Sequence, residues 1–201
     1  MALVAIAERR VVPGRAAAYL AALRAFSQTL AFVEGRGEMR AVVDDADPDH
    51  VLVMGRWTSQ ADFEGAMPRL PAGLVAAAES HVRGDVGPVR WYRIAREIER
   101  MAVRPGYVVA RRYTIPLESS ERFELWVVDT MHRLFDLPGV VSQTMLVELD
   151  DPTQVVSLIQ YTSPDAGRAA DQRAAARPLP PDLGAIADQR FAGRTDSLWE
   201  A

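Results

Sequence analysis

The chain has 201 residues, a formal net charge of −4 and 25% charged residues, a balance typical of a globular protein. It contains no Cys, no Lys and no Asn, which excludes disulfides, thiol nucleophiles and lysine Schiff bases. The charge balance does not indicate a nucleic-acid partner, and no apolar run is long enough to span a membrane. The N-terminus lacks a basic region before its apolar run, so we expect no secretory signal and a cytoplasmic protein.

Strand patterns occur four times in the first half, where β-branched and apolar residues alternate with polar ones: 2–12, 38–44, 51–57 and 89–98. A helix with one apolar stripe is predicted between the first two strands, and Pro13 and Gly14 open it. After the third strand, Ser59 is a candidate helix cap with Asp62 three positions further on. The first half therefore alternates strands and helices.

The second half repeats this order, with strand patterns at 107–115, 140–149, 154–161 and 190–198. Ser119 or Ser120 is the candidate cap of a helix that ends at Pro138 and Gly139. Ser163 is a candidate cap for a second helix, with Pro164 at its first position, where the missing N–H costs least.

Four pairs of segments recur in the same order along the chain: 7–13 with 110–116, Gly35 with Gly139, 41–45 with 147–151, and 57–59 with 161–163. Their offsets are 103, 104, 106 and 104 residues. The offset of 106 predicts a shorter turn in the second copy. We therefore predict two tandem repeats, over residues 1–100 and 101–201.

Each predicted repeat has the order strand-helix-strand-strand-helix-strand, the ferredoxin-like βαββαβ pattern. In this arrangement both helices cover one face of a four-stranded sheet and leave the other face bare. The strand patterns supply apolar residues for both faces, so the bare face should also be buried. The sequence predicts an α+β protein in which two tandem ferredoxin-like repeats pack sheet to sheet as one α+β barrel.

Residues Trp57–Glu64 join a strand ending in Trp-Thr-Ser to a helix that begins Gln-Ala-Asp-Phe-Glu. This segment resembles the antibiotic biosynthesis monooxygenase superfamily, as does the opening strand that leads into Pro13 and Gly14. Most members have one ferredoxin-like unit per chain, and this chain resembles a fused tandem version similar to aromatic polyketide tailoring oxygenases. The resemblance implies an oxygenase that oxidises, opens or rearranges a polycyclic aromatic polyketide-like substrate with O2 in antibiotic biosynthesis.

The resemblance also sets expectations for cofactors and partners. Some members use O2 without a metal or bound cofactor, whereas some tandem relatives use reduced flavin from a partner reductase. We expect no tightly bound cofactor, and reduced flavin (FMNH2 or FADH2) as a diffusible cosubstrate is left open. The expected partners are a small aromatic substrate, O2, a flavin reductase where flavin is used, and a second copy in a homodimer. Haem-degrading relatives use Asn with Trp and His, and the absence of Asn disfavours that branch.

The three histidines show no metal-ligand spacing, so no metal site is predicted, and His50 is expected to be solvated in a turn. His132 follows Asp129 by three residues on a predicted helix, so the carboxylate can orient the imidazole as a base for a phenolic proton. Four arginines lie on the two first strands, where alternation turns one of each pair inward: Arg9, Arg10, Arg111 and Arg112. Of these, Arg112 is the predicted stabiliser of a substrate anion. The alternatives are a surface pair for His132 and a structural salt bridge for the arginine.

Four aromatic side chains are predicted to form the walls of a site for a flat substrate: Trp57, Tyr113, Trp126 and Tyr161. Core packing is the alternative for each of them. Two other functions stay open on the same fold, a non-oxidative polyketide cyclase and a non-catalytic binding protein. Oxygen consumption distinguishes the oxygenase from the cyclase, and a fully packed interior would favour the protein without turnover.

Overall fold

The computed structural model describes residues 2–84, 87–100, 103–175 and 179–199. The chain divides into two compact units, one formed by Met1–Tyr92 with Thr195–Ala201 and the other by Arg93–Arg194. The predicted repeat boundary follows residue 100, and residue 101 lies outside the described residues. No helix in the described ranges has the length and apolar character that a membrane crossing requires.

The elements of the first unit are β1 (Leu3–Arg10), α1 (Ala16–Thr29), β2 (Arg36–Asp44), β3 (His50–Trp57), α2 (Gln60–Ala66), α3 (Ala72–Glu79) and the first residues of β4 (Arg90–Glu99). Strand β3 pairs antiparallel with both β1 and β2. One helix was predicted after Ser59, but the structure has two. Pro68 lies in the short 3-10 turn between them and cannot donate the backbone hydrogen bond that would continue α2.

The elements of the second unit are the remainder of β4, then β5 (Tyr107–Thr114), α4 (Ser120–Phe135), β6 (Val140–Glu148), β7 (Gln154–Tyr161), α5 (Pro164–Ala175) and most of β8 (Ile186–Trp199). The strand order is β8-β5-β7-β6. The predicted α+β class and the tandem ferredoxin-like architecture are confirmed.

The strand registers relate the two units by one constant offset. Leu3 lies opposite Trp57 in the first unit, and Tyr107 lies opposite Tyr161 in the second, 104 positions later on both strands. The same offset relates the β2–β3 pairs to the β6–β7 pairs. The repeats therefore match position by position, and the offsets of 103 and 106 inferred from short sequence matches are wrong.

The acidic turns show why the offset of 106 was wrong. Asp44 corresponds to Glu148, and His50 to Gln154, so the turn between β2 and β3 has the same length as that between β6 and β7. The predicted shorter turn in the second copy does not exist. Matching the acidic pairs aligned loop residues, whereas the hydrogen-bonded ladder fixes the register.

The recurrent glycine and the recurrent aromatic-Thr-Ser segment touch each other in both units. The N–H of Thr58 donates to the carbonyl of Gly35 over 2.7 Å, and that of Thr162 donates to the carbonyl of Gly139 over 2.8 Å. Both glycines have positive φ, +80° and +83°. The two sequence landmarks therefore recur together because they build one junction between strand and helix.

The following helix begins at a side-chain cap in both units. In the first unit the Ser59 hydroxyl accepts a hydrogen bond from the N–H of Asp62 at 3.1 Å, and in the second Ser163 accepts one from Ala166 at 3.2 Å. Each cap satisfies an N–H that a helix start leaves without an intrahelical partner. The predicted caps Ser59 and Ser163 are confirmed.

Gly139→Ala is expected to destabilise the protein by about 2–5 kcal/mol. The free-energy cost of placing a residue with a Cβ in left-handed backbone adds to the cost of overpacking. A Cβ at Gly139 would lie 2.6 Å from the Cβ of Ala166. Gly14→Ala is the matched control, because Gly14 has φ +75° but a Cβ there would meet nothing within 4 Å. Urea unfolding of both variants measures the difference, and equal losses would contradict the proposed close contact.

Candidate active site in the first unit

The first unit contains a cavity of about 190 Å³ between its sheet and its helices. Among its lining residues, only Arg9, Tyr19 and Trp57 carry nitrogen or oxygen in their side chains. An engineered apolar cavity of about 150 Å³ binds benzene. The volume and lining of this cavity therefore suit one or two aromatic rings with few polar groups.

Small residues on two paired strands create the space. Ala5 and Ala7 alternate along β1 and line the cavity, and Ala5 lies opposite Gly55 of β3. A Cβ at Gly55 would lie 3.2 Å from both Met39 Cγ and Trp57 Nε1. The cavity thus exists because these positions lack bulk.

The second unit carries larger side chains at the corresponding positions. Val109 lies opposite Ile159 where the first unit pairs alanine with glycine, and Arg111 takes the position of Ala7. The Arg111 Nη2 donates to Asp171 Oδ1 over 3.0 Å. The two repeats have therefore diverged on the sheet face that lines the cavity in the first unit.

Arg9 and Tyr19 are the polar residues of greatest interest in the cavity, and both are at least nine-tenths buried. Arg9 Nη1 donates to the carbonyl of Glu8 over 2.9 Å. Within the described part of the chain, no carboxylate lies within ion-pair distance of its guanidinium. Burial raises the pKa of Tyr19 to about 12, with the charge of Arg9 acting in the opposite direction. The Tyr19 hydroxyl is therefore protonated at neutral pH.

Stability is expected to fall as the pH rises above the ordinary tyrosine pKa of about 10. Between that value and about 12, the unfolded chain loses a proton that Tyr19 keeps in the folded protein, so deprotonation favours unfolding. Tyr19→Phe should reduce the loss of unfolding free energy over this pH range by roughly 2–3 kcal/mol. Urea unfolding across this pH range compares the two slopes, and identical slopes would exclude the effect.

The predicted catalytic residues lie in the second unit and do not line this cavity. His132 is exposed on α4, and the carboxylate of Asp129 accepts a hydrogen bond from Arg133 Nε at 3.1 Å. Arg112 is half-buried, and its Nη1 donates to Gln189 Oε1 over 3.2 Å. The catalytic roles given to these residues stay predictions.

Of the four predicted wall residues, only Trp57 lines the cavity. Tyr113 and Trp126 pack with Phe123 in the second unit, with ring centroids 5.3 and 5.7 Å from that of Phe123. Tyr161 is buried in a separate cluster of that unit, and burial raises the pKa of both tyrosines. The structure therefore does not bring the four aromatic residues together around this cavity.

His50 is a correction to the sequence prediction. It was expected in a solvated turn, but it is the first residue of β3 and is 5% exposed. Its Nε2 lies 3.5 Å from Glu8 Oε2 and its Nδ1 lies 3.9 Å from Asp44 Oδ2. The register that pairs His50 with Arg10 extends the strand to this residue and buries it.

Within the described ranges, no group of three or more His, Asp or Glu side chains is placed to hold a metal ion.

The sequence reasoning missed Arg9 and Tyr19 as site residues. The predicted site was an imidazole beside a carboxylate. The observed cavity is instead formed by small residues next to a buried arginine. One signal was present in the sequence. Ala5, Ala7 and Arg9 share a strand face, and the positions equivalent to the two alanines carry the bulkier Val109 and Arg111. A comparison of the repeats at a constant offset would have found the cavity.

Residues 2–67 match the family model described as antibiotic biosynthesis monooxygenase. All cavity-lining residues except Val75 and Val89 lie within the matched segment. The predicted resemblance is therefore confirmed, and the matched third of the chain contains most of the cavity lining. A search of curated protein sequences found no match.

Three solved structures are similar over nearly the whole chain. A proposed monooxygenase from Fusobacterium nucleatum matches 98% of this chain and 93% of its own, with a TM-score of 0.74 and 10% identity. One from Lactobacillus acidophilus matches 98% and 94%, with a TM-score of 0.71 and 11% identity. An anthrone oxidase-like protein matches 99% and 94%, with a TM-score of 0.64 and 14% identity. These identities establish the fold, and the family match with these neighbours supports a general monooxygenase-type role.

Proposed function

We propose, on the basis that residues 2–67 match the antibiotic biosynthesis monooxygenase family, that this protein oxidises a phenolic aromatic substrate with O2 in the cavity of the first unit. The observation that carries the proposal is an apolar cavity of about 190 Å³ within the matched residues. The substrate we propose is polycyclic and polyketide-like, from antibiotic biosynthesis. The cavity takes one or two of its rings, and the remainder extends beyond it.

The proposed reaction converts a phenolic ring to a quinone. One naphthol and one O2 give one naphthoquinone and one water. The ring carbon para to the hydroxyl loses its hydrogen and gains one oxygen atom, the hydroxyl becomes the second carbonyl, and the other oxygen atom leaves as water. The substrate supplies all the electrons that O2 accepts. Loss of the phenolic proton makes the ring electron-rich enough to reduce O2, and the apolar lining excludes water from the reaction.

Oxygen uptake by the purified protein tests the proposal. With 1-naphthol and hydroxylated larger homologues, we expect one O2 consumed per quinone formed, and isotopically heavy O2 should label one oxygen of the quinone. A ring-closed product without oxygen uptake would support the cyclase instead. Saturable binding with no product from any of these phenols would support a binding protein without turnover.

For cofactors, we propose that the protein needs none that is tightly bound. The purified protein should oxidise the phenol without added flavin. A rate that requires reduced FMN or FAD would make flavin a diffusible cosubstrate and a flavin reductase the partner. We further propose a homodimer, which light scattering tests, and no nucleic acid or membrane partner.

His132→Ala separates this proposal from a site centred on α4. If His132 were the base, the variant should lose roughly 10²–10⁴-fold in turnover, the usual contribution of general acid–base catalysis. Since His132 is exposed and the cavity lies in the other unit, we expect unchanged turnover. Steady-state oxygen uptake by wild type and variant decides between these outcomes.

A further inference from the structure

We propose that Arg9 and Tyr19 form an anion subsite in the cavity, which selects aromatic ligands that carry an ionised oxygen, as phenolate or carboxylate. The inference rests on the proposed function for the identity of the site and adds the charge state in which the substrate binds. It explains why an otherwise apolar cavity contains a buried cation.

Arg9 is the first part of the argument. Its side chain lines the cavity from the inward face of β1, and the residue is 9% exposed. A buried charge is costly unless an opposite charge or several hydrogen bonds compensate it. The described residues supply the guanidinium with one hydrogen-bond acceptor, the carbonyl of Glu8, and with no carboxylate. Among the described residues no acceptor meets its other N–H groups, so they can donate to a ligand anion.

Tyr19 is the second part. Its hydroxyl has no hydrogen-bond partner among the described residues, and it interacts electrostatically with Arg9. Because it is protonated at neutral pH, it donates a hydrogen bond. A cation and a neutral donor that face no acceptor in the described part of the chain form a suitable site for an oxyanion.

The second repeat provides an internal comparison. Its positions equivalent to Arg9 and Tyr19 carry Tyr113 and Phe123, which pack edge to face, and the Arg111 guanidinium lies beside the Tyr113 hydroxyl. The arginine on that sheet face, Arg111, is paired with Asp171. Arg111 thus has a carboxylate partner, whereas Arg9 has none among the described residues. The difference indicates that the anion for Arg9 comes from a ligand.

Binding of two probes of equal shape tests the subsite. 2-Naphthoate carries a carboxylate, and 2-naphthamide is its neutral counterpart. By calorimetry, the naphthoate should bind on the order of tenfold or more tightly, the usual effect of a hydrogen bond to a charged group. Arg9→Gln should abolish the preference. Arg10→Gln removes the same charge from an exposed position paired with Asp47, and should keep it.

A phenolate arm uses 4-nitro-1-naphthol, whose absorbance reports its own ionisation. Binding to the wild type should lower the pKa of the probe, whereas binding to Arg9→Gln should not. A carboxylate preference alone would assign the subsite to carboxylates, and a lowered probe pKa alone to phenolates; either supports an anion subsite. Equal affinities for naphthoate and naphthamide, with no shift of the probe, would overturn it.

The comparison in the wild type needs no variant, so it decides the question even where Arg9→Gln fails to fold. Tyr19→Phe is the second variant and should weaken the preference while leaving Arg9 in place. Naphthoate preference without oxygen uptake would leave the subsite standing and remove the proposed oxygenase. Oxygen uptake without any anion preference would remove the subsite and leave the proposed oxygenase standing.

Discussion

Trp57→Ala is expected to lower the free energy of unfolding by about 3–5 kcal/mol, the range for truncating a buried tryptophan. Trp57 is 2% exposed and packs edge to face on Phe63, with ring centroids 5.3 Å apart. Phe63 in turn packs on Trp91 at 5.2 Å, so the truncation removes one end of a chain of three rings. Urea unfolding measures the loss.

Trp57→Tyr is the control, because the second repeat carries Tyr161 at the equivalent position and buries it. It should cost less than the alanine variant by at least about 1 kcal/mol, since most of the buried apolar surface remains. A loss below about 1 kcal/mol for Trp57→Ala would contradict its place in the core.

Filling the cavity is expected to have the largest effect on activity. Ala5→Val combined with Ala7→Leu adds bulk to the inward face of β1. Oxygen uptake with the phenolic substrate should fall by about 100-fold or more, because a displaced ring loses its reactive geometry. Stability should change little, since the added methyl groups enter empty space and Val109 already occupies the position equivalent to Ala5.

Val109→Ile is the matched control for the filled cavity. It adds one methylene at the equivalent position of the second repeat and should leave oxygen uptake unchanged. Full activity in the filled variant, with its unfolding free energy preserved, would move the reaction to another part of the molecule.

The element order was predictable because both repeats show the same succession of strand and helix patterns. The strand at 154–161 and the caps Ser59 and Ser163 were placed correctly, since alternation and capping chemistry are local signals. Register is a long-range property. The short sequence matches made Arg112 the equivalent of Arg9 in the second repeat. The strand registers show that the equivalent residue is Tyr113.

The candidate site could not be predicted from side-chain chemistry alone. Trp57 was expected as one of four aromatic wall residues, and it alone of the four lines the cavity. Arg9 was noted only as one of four arginines, and its significance depends on burial away from any described carboxylate. The cavity itself depends on Ala5 and Gly55 facing each other, which only the register of β1 and β3 reveals.

A crystal structure of the protein with bound 2-naphthoate tests the central claim most directly. The account predicts one ligand in the first unit, with its rings among the apolar residues beside Trp57 and its carboxylate within hydrogen-bond distance of the Arg9 guanidinium and the Tyr19 hydroxyl. A ligand bound instead beside Arg112 or beside His132, with the first cavity empty, would contradict it.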